Sequence, residues 1–130
     1  MLTEPPGAEK VAEKLAQLQG CEQGVLMPST LHLFWDLFGM LCQQPVTLYL
    51  DEGTYAIARW GAERFSAKGV AVYSFRHHDP DALLAQIKRH AHEGKHPVAI
   101  ADGFCPACGH AAPVGDYLEI VRRFGGLLVL

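Results

Sequence analysis

The stretch VTLYLDEGTYAIARWGAERFSAKGVAVYSF, residues 46–75, contains a complete strand, helix and strand pattern. The run from Val46 to Leu50 shows little alternation of apolar and polar residues, which is typical of a strand covered on both faces. Thr54 to Ser66 predicts a helix, and Val70 to Phe75 predicts a second strand. Elements of this kind and order favour a parallel βαβ unit with a right-handed crossover.

The same pattern continues toward the carboxyl end of the chain. Val98 to Ala101 predicts a third strand and Leu127 to Leu130 a fourth. Helices are predicted from Asp81 to Glu93 and from Val114 to Phe124. The sequence therefore predicts an α/β fold of three layers, in which helices cover a mostly parallel sheet joined by βαβ crossovers.

Two further helices are predicted before the first strand. Ala8 to Gln19 has apolar residues at helical spacing and charged residues on the other face, and Gly20 is expected to end it. Leu31 to Cys42 is so apolar that burial on most sides is expected. Ser29 or Thr30 is suited to cap the start of this second helix.

The composition is that of an ordinary globular domain. The chain has 130 residues, 49% of them hydrophobic, and its 11 basic and 14 acidic residues give a formal net charge of -3. This balance excludes a disordered or collagen-like chain and argues against nucleic acid or an anionic membrane as a partner. Met1 to Pro6 lacks the features of a secretory signal, and Asp36 interrupts the most apolar segment, so we expect a cytoplasmic protein that does not cross a membrane.

The chain ends at Leu130, inside its last predicted strand. In open α/β sheets the ligand site forms at the carboxyl ends of the strands, and here the loop after the last strand would be missing. The sequence therefore predicts that residues 1–130 are one partial domain of a longer protein.

One motif, Cys105-Pro106-Ala107-Cys108-Gly109-His110, has the spacing of a zinc or redox site. Cys105, Cys108 and His110 could bind a metal ion if His77 or His78 supplied a fourth ligand. The two thiols alone could form a redox pair, in a small α/β zinc-binding or redox module. Against both alternatives, the favoured interpretation is two loop cysteines without a shared role.

Three other positions also have two interpretations. The sequence His77-His78-Asp79 follows a predicted strand, but Asp79 before Pro80 is a good helix start, and capping is the favoured role. The free N–H groups at Ser29 and Thr30 could hold a phosphate, although every capped helix offers such groups. Tyr55 could stack on a flat cofactor or could simply pack.

Taken together, the motifs resemble the fold-type I enzymes that depend on pyridoxal 5'-phosphate (PLP). Within them the sequence is most similar to the α-oxoamine synthase group, of the 8-amino-7-oxononanoate synthase and 2-amino-3-ketobutyrate CoA ligase kind. The resemblance covers nearly all of this chain and the first half of the family's large cofactor domain. The residues that carry it are, in order, Leu15-Ala16, Gly20, Val25-Leu26-Met27, Ser29-Thr30, Leu48-Tyr49-Leu50-Asp51, Tyr55, Gly61, His78-Asp79, Leu83-Leu84, Ala101-Asp102-Gly103 to Gly109, Ala112-Pro113 and Leu118.

The resemblance implies a role for several of these positions. Ser29, Thr30 and Leu31 match the turn whose backbone amides hold the PLP phosphate. Tyr55 replaces the histidine that stacks on the cofactor ring. In the loop after the third strand, Pro106 replaces a serine near the cofactor and Cys108 replaces an acidic residue.

The resemblance also implies what the chain lacks. The aspartate that pairs with the pyridine nitrogen and the lysine that forms the Schiff base would both follow Leu130, so no catalytic residue is assigned within the chain. The parent enzyme would be a homodimeric transferase acting on an amino acid and an acyl-CoA or a keto acid. The 130-residue chain alone is expected to be inactive.

Overall fold

The computed structural model describes residues 5–92 and 94–130. Within them, the helices are Ala8–Leu18 (α1), Thr30–Leu41 (α2), Ala56–Ser66 (α3), Pro80–His90 (α4) and Val114–Arg123 (α5). The strands are Val46–Asp51 (β1), Val72–Phe75 (β2), His96–Ile100 (β3), Phe104–Cys105 (β4), His110–Ala111 (β5) and Leu127–Val129 (β6). Two parts of the chain lie outside the described residues. One is Met1 to Glu4, which is most of the segment screened for a signal, and the other is Glu93, the predicted end of α4.

Four strands form one parallel sheet in the order β2-β1-β3-β6. Leu48 of the central strand β1 lies opposite Val72 on one side and Val98 on the other. All six residues of β1 are buried, as the lack of alternation predicted. The predicted mostly parallel α/β sheet is therefore confirmed.

Two apolar clusters show that helices cover both faces of this sheet. Tyr49 and Ala99 face one side, where they pack with buried residues of α4 and α5 such as Leu83 and Tyr117. The opposite side holds buried residues of α2 and α3 together with strand residues: Phe38, Leu48, Leu50, Ala58, Ala62, Phe65, Val98 and Ile100. The three-layer arrangement that the sequence predicted is therefore present.

The prediction that α2 is buried on most sides was wrong. Within the helix only Phe38 is fully buried, whereas Met40 is 66% exposed and Trp35 is 41% exposed. The apolar face of α2 packs along α3, where Phe34 and Phe38 lie close to the backbone of Gly61. Leu31 and Leu33 of the same helix are exposed as well.

Smaller differences have local causes. Helix α3 begins at Ala56 rather than at Thr54, because the backbone of Tyr55 is not helical, with a ψ of 133°. The Thr54 hydroxyl donates to the carbonyl of Ile100, 3.1 Å away. The loop after β3, predicted to be irregular, contains the short antiparallel hairpin β4-β5. Among the described residues, no helix combines the length and the apolar character that a bilayer crossing requires.

Candidate functional site

The carboxyl ends of β1, β2 and β3 meet at one edge of the sheet, and the carboxylate of Asp51 lies at its centre. One carboxylate oxygen accepts hydrogen bonds from the amide of Gly53 at 2.7 Å and from Nδ1 of His77 at 2.6 Å. The other accepts from the amide of His78 at 3.0 Å and from the hydroxyl of Tyr117 at 3.1 Å. Asp51 is buried, and both of its oxygens have two donors each.

These contacts determine the charge of the pair. Burial raises the pKa of the Asp51 carboxyl, but hydrogen bonds from His77, His78, Gly53 and Tyr117 outweigh burial and leave it below its ordinary value. The hydrogen bond to Asp51 is the main cause that raises the pKa of His77 to about 9, and a second contribution comes from Cys108. In the absence of a bound cation, Asp51 and His77 are therefore an ion pair at neutral pH.

The second ring nitrogen of His77 faces the cysteine loop. Its Nε2 lies 3.7 Å from the Sγ of Cys108. The amide of Cys108 in turn donates to the Sγ of Cys105 at 3.3 Å, and this is the first cause that lowers the pKa of Cys105 to about 7. The two thiols therefore share one neighbourhood with His77, a proximity that the sequence did not predict.

The structure also changes the set of candidate metal ligands. Ligand atoms of His77, His78 and Cys108 all lie within 4.8 Å of one another. His110, which the sequence motif suggested, is not in this group. Asp79 caps α4 as expected, since its carboxylate accepts from the amide of Ala82 at 2.9 Å.

Ser29, Thr30 and Leu31 lie at the exposed start of α2. The Ser29 hydroxyl accepts from the amide of His32 at 3.3 Å, which confirms the predicted cap. The Thr30 and Leu31 amides belong to the first turn, whose N–H groups have no carbonyl partner inside the helix. These amides are free for an anion, and the helix dipole favours one there.

Helices α2 and α3 run side by side in the same direction. A Cβ at Gly61 would lie 3.2 Å from the Cβ of Phe34, and the guanidinium of Arg64 lies 4.3 Å above the ring of Trp35. Helix α2 ends at Leu41 and β1 begins at Val46, so the end of α2 lies near the amino edge of the sheet, where α3 also ends. Since α3 begins at the carboxyl edge of the sheet, the start of α2 is at that edge as well.

Tyr55 occupies the position just before α3. Its amide donates to the carboxylate of Asp102 at 3.1 Å, and its side chain is 48% exposed. Asp102 follows β3, so this bond ties the start of α3 to the neighbouring strand end. Tyr55 is therefore partly exposed at the same edge as the first turn of α2.

Sequence reasoning missed the structural importance of Asp51 and of Asp102. Asp51 is the last residue of the buried strand β1, and Asp102 follows β3 closely. An acidic residue at the carboxyl end of a buried strand was a usable signal. A surface groove of about 700 Å³ lies elsewhere, between α1 and residues 21–26. None of the candidate site residues lines it.

No protein-family profile matches the chain. A protein from Acidiphilium cryptum (strain JF-5) described as a putative 8-amino-7-oxononanoate synthase is 28% identical over 116 residues. That match covers 89% of this chain and 30% of the relative. The resemblance to the α-oxoamine synthase group is confirmed.

Solved structures agree at the level of the fold. A serine palmitoyltransferase variant from S. paucimobilis, solved with a PLP-myriocin aldimine, superposes with a TM-score of 0.80 at 17% identity, over 96% of this chain and 31% of that one. Serine palmitoyltransferase from Sphingomonas wittichii gives the same TM-score and identity over 96% of this chain and 30% of its own. The α-oxoamine synthase-like chain thus spans about 30% of the length of these relatives.

Proposed function

We propose that the protein containing this chain is a PLP-dependent transferase that joins an amino acid to an acyl thioester or transfers an amino group. The chain supplies the first part of the cofactor domain. The observation that carries the proposal is the parallel packing of α2 and α3, because it brings the first turn of α2 to the same sheet edge as the ring of Tyr55. The similarity to an 8-amino-7-oxononanoate synthase supports it.

The start of α2 suits a phosphate group. Ser29 already caps the helix, so the exposed Thr30 and Leu31 amides can donate to phosphate oxygens without disturbing the fold. The positive end of the helix dipole adds to the attraction. In this role Thr30 offers a hydroxyl beside its amide.

The exposed ring of Tyr55 suits the flat face of a pyridine. The bond between its amide and Asp102 holds the backbone from which the ring projects. Stacking of two aromatic rings contributes about 0.5–1.5 kcal/mol beyond area burial. Tyr55 thus orients the cofactor, while the first turn of α2 holds its phosphate.

Bound PLP supplies an electron sink for a carbanion at the α-carbon of the amino acid. We assign no proton transfer to this chain. Its five lysines, at positions 10, 14, 68, 88 and 95, include three at or near the opposite edge of the sheet, where α3 and α4 end and β3 begins. We therefore propose that covalent attachment uses a lysine outside these residues and that the chain alone is inactive.

The proposal includes a cytoplasmic homodimer. The second subunit is supported by the apolar surface of α2, where Leu33, Trp35 and Met40 are exposed. Apolar side chains concentrated on one helix are typical of a surface that another part of the protein or a second subunit covers. Small amino acid and acyl-CoA or keto-acid substrates complete the set of partners.

The test compares two substitutions at Tyr55 in the full-length protein. Titration with PLP, followed by quenching of intrinsic fluorescence, should show a several-fold weaker Kd for Tyr55→Ala, since loss of about 1 kcal/mol of stacking is a factor of about five. Tyr55→Phe should bind as the unaltered protein does, because it keeps the ring face. Equal losses in both variants, or none in either, would contradict the stacking role.

A further inference from the structure

We propose that His77, His78 and Cys108, with Cys105 as the fourth ligand, form a binding site for a zinc-like divalent cation at the carboxyl edge of the sheet. Two imidazoles and two thiolates are the donor set that zinc takes in tetrahedral structural sites. None of these ligands is among the PLP contacts proposed above, so this proposal does not depend on them.

The distances fit such an ion. In tetrahedral zinc coordination, bonds of about 2.3 Å to sulfur and 2.0–2.1 Å to nitrogen place the two ligand atoms about 3.6 Å apart. The distance between Nε2 of His77 and Sγ of Cys108 is 3.7 Å. The ligand atom of His78 lies within 4.8 Å of both. Cys105 lies outside this group of three, and its place as the fourth ligand rests on its Sγ, which lies 3.3 Å from the amide of Cys108.

His78 has features that the capping of α4 by its neighbour Asp79 does not explain. It is the one non-glycine residue with a positive φ in the described part of the chain, at 54°. Its ring stacks on that of His77 with centroids 3.8 Å apart, and its Nε2 is buried with no hydrogen-bond partner. A strained backbone and an unpaired buried nitrogen both oppose folding, and metal coordination by this ring would offset them.

Asp51 provides the outer support that metal-binding histidines require. Its carboxylate holds Nδ1 of His77 at 2.6 Å and so directs Nε2 toward Cys108. Gly53 and Tyr117 fix the carboxylate in turn. A carboxylate behind a histidine sets the orientation of the ring and raises its basicity as a ligand.

The cysteine loop is already folded as a tight turn. The amide of Gly109 donates to the carbonyl of Cys105 at 2.8 Å, and Gly109 has a φ of 74°, which favours glycine. The Cys108 amide points at the Cys105 sulfur. When the cation binds, each coordinating thiol loses its proton to solvent, and the metal takes the place of any proton on Nε2 of His77.

A thiol redox pair is the competing interpretation of the same cysteines. Such a pair needs only Cys105 and Cys108, and it leaves the strain and the unpaired nitrogen of His78 without a role. The metal site uses all of these features. The experiment below separates the two interpretations.

The test is cobalt titration of the full-length protein, reduced and freed of metal with a chelator. We expect about one Co²⁺ per chain, visible as thiolate-to-metal charge-transfer absorption that Zn²⁺ then removes. Cys108→Ser and His78→Gln should each weaken binding at least about tenfold, judged from what loss of even outer-shell partners costs. The control variants Cys21→Ser and His110→Gln should bind as the unaltered protein does.

Three outcomes would overturn the proposal. The first is the absence of a charge-transfer band after cobalt is added to protein whose cysteines still react as free thiols. The second is undiminished binding in a Cys108→Ser variant whose circular dichroism matches that of the unaltered protein. The third is a pair of cysteines that forms a reversible disulfide and binds no cobalt after reduction, which would support the redox interpretation instead.

Discussion

Replacement of Asp51 by asparagine tests how far the site edge depends on a buried carboxylate. In Asp51→Asn one acceptor oxygen becomes an NH2 group, and each orientation of the amide leaves one backbone N–H without an acceptor. In one orientation this is the His78 amide and in the other the Gly53 amide. The Tyr117 hydroxyl and a neutral His77 can accept from the new NH2 group, but the ion pair between residue 51 and His77 is lost in both orientations. A buried donor left unpaired costs about 1–3 kcal/mol, and a hydrogen bond to a charged group contributes about 1.5–3 kcal/mol. We therefore expect a loss of about 2–4 kcal/mol, a large part of the 5–15 kcal/mol typical of a domain.

Tyr117→Phe is the matched comparison. It removes one of the four donors and leaves the carboxylate of Asp51 with three, so the expected cost is about 1 kcal/mol. Both variants are measured by urea denaturation with a chelator present, from the midpoint and slope of the transition. If Asp51→Asn lowered the free energy of unfolding no more than Tyr117→Phe does, the carboxylate of Asp51 would not have the structural role described here.

Two further predictions concern the core. Gly61→Ala should lower the free energy of unfolding, measured in urea, by about 1 kcal/mol, because the new Cβ would lie 2.9 Å from the ring of Phe38. This overpacking exceeds the gain in helix propensity. The control Gly115→Ala, whose Cβ meets open space, should leave stability unchanged or raise it. At alkaline pH, burial and then the charge of Tyr73 raise the pKa of Tyr49 to about 12, above the value of about 10 expected in the unfolded chain. The stability that the protonated phenol contributes is thus complete below pH 10 and declines as the pH rises toward 12, and Tyr49→Phe should reduce that decline in a pH series of thermal unfolding. An unchanged alkaline decline in Tyr49→Phe would show that another group is responsible.

Local pattern was enough to predict the layers of this fold. The run from Val46 to Leu50 lacks alternation because both of its faces are buried, and that property is visible in a single segment. The same kind of reasoning misjudged α2, since an apolar helix surface does not reveal whether another element covers it. The exposure of Trp35 and Met40 depends on what lies beyond the helix, which periodicity does not report.

The candidate site was only partly accessible to sequence reasoning. The cap formed by Ser29 is local and was predicted, because its partner lies three residues away. The bonds of Asp51 to His77 and to Tyr117 join residues 26 and 66 positions apart, and spacing along the chain carries no trace of them. For the same reason the alternative metal site was built from the motif residues Cys105, Cys108 and His110, with His77 or His78 only as a fourth ligand, whereas the structure groups both histidines with Cys108.

The most direct test of the account is to reduce the full-length protein with borohydride after incubation with PLP and to locate the label by peptide mass spectrometry. We predict that about one PLP is retained per chain, attached to a lysine outside residues 1–130. At limiting PLP, less should be retained by Tyr55→Ala, but not by Tyr55→Phe. A full-length protein that retains no PLP, or a label on one of the five lysines of this chain, would contradict it.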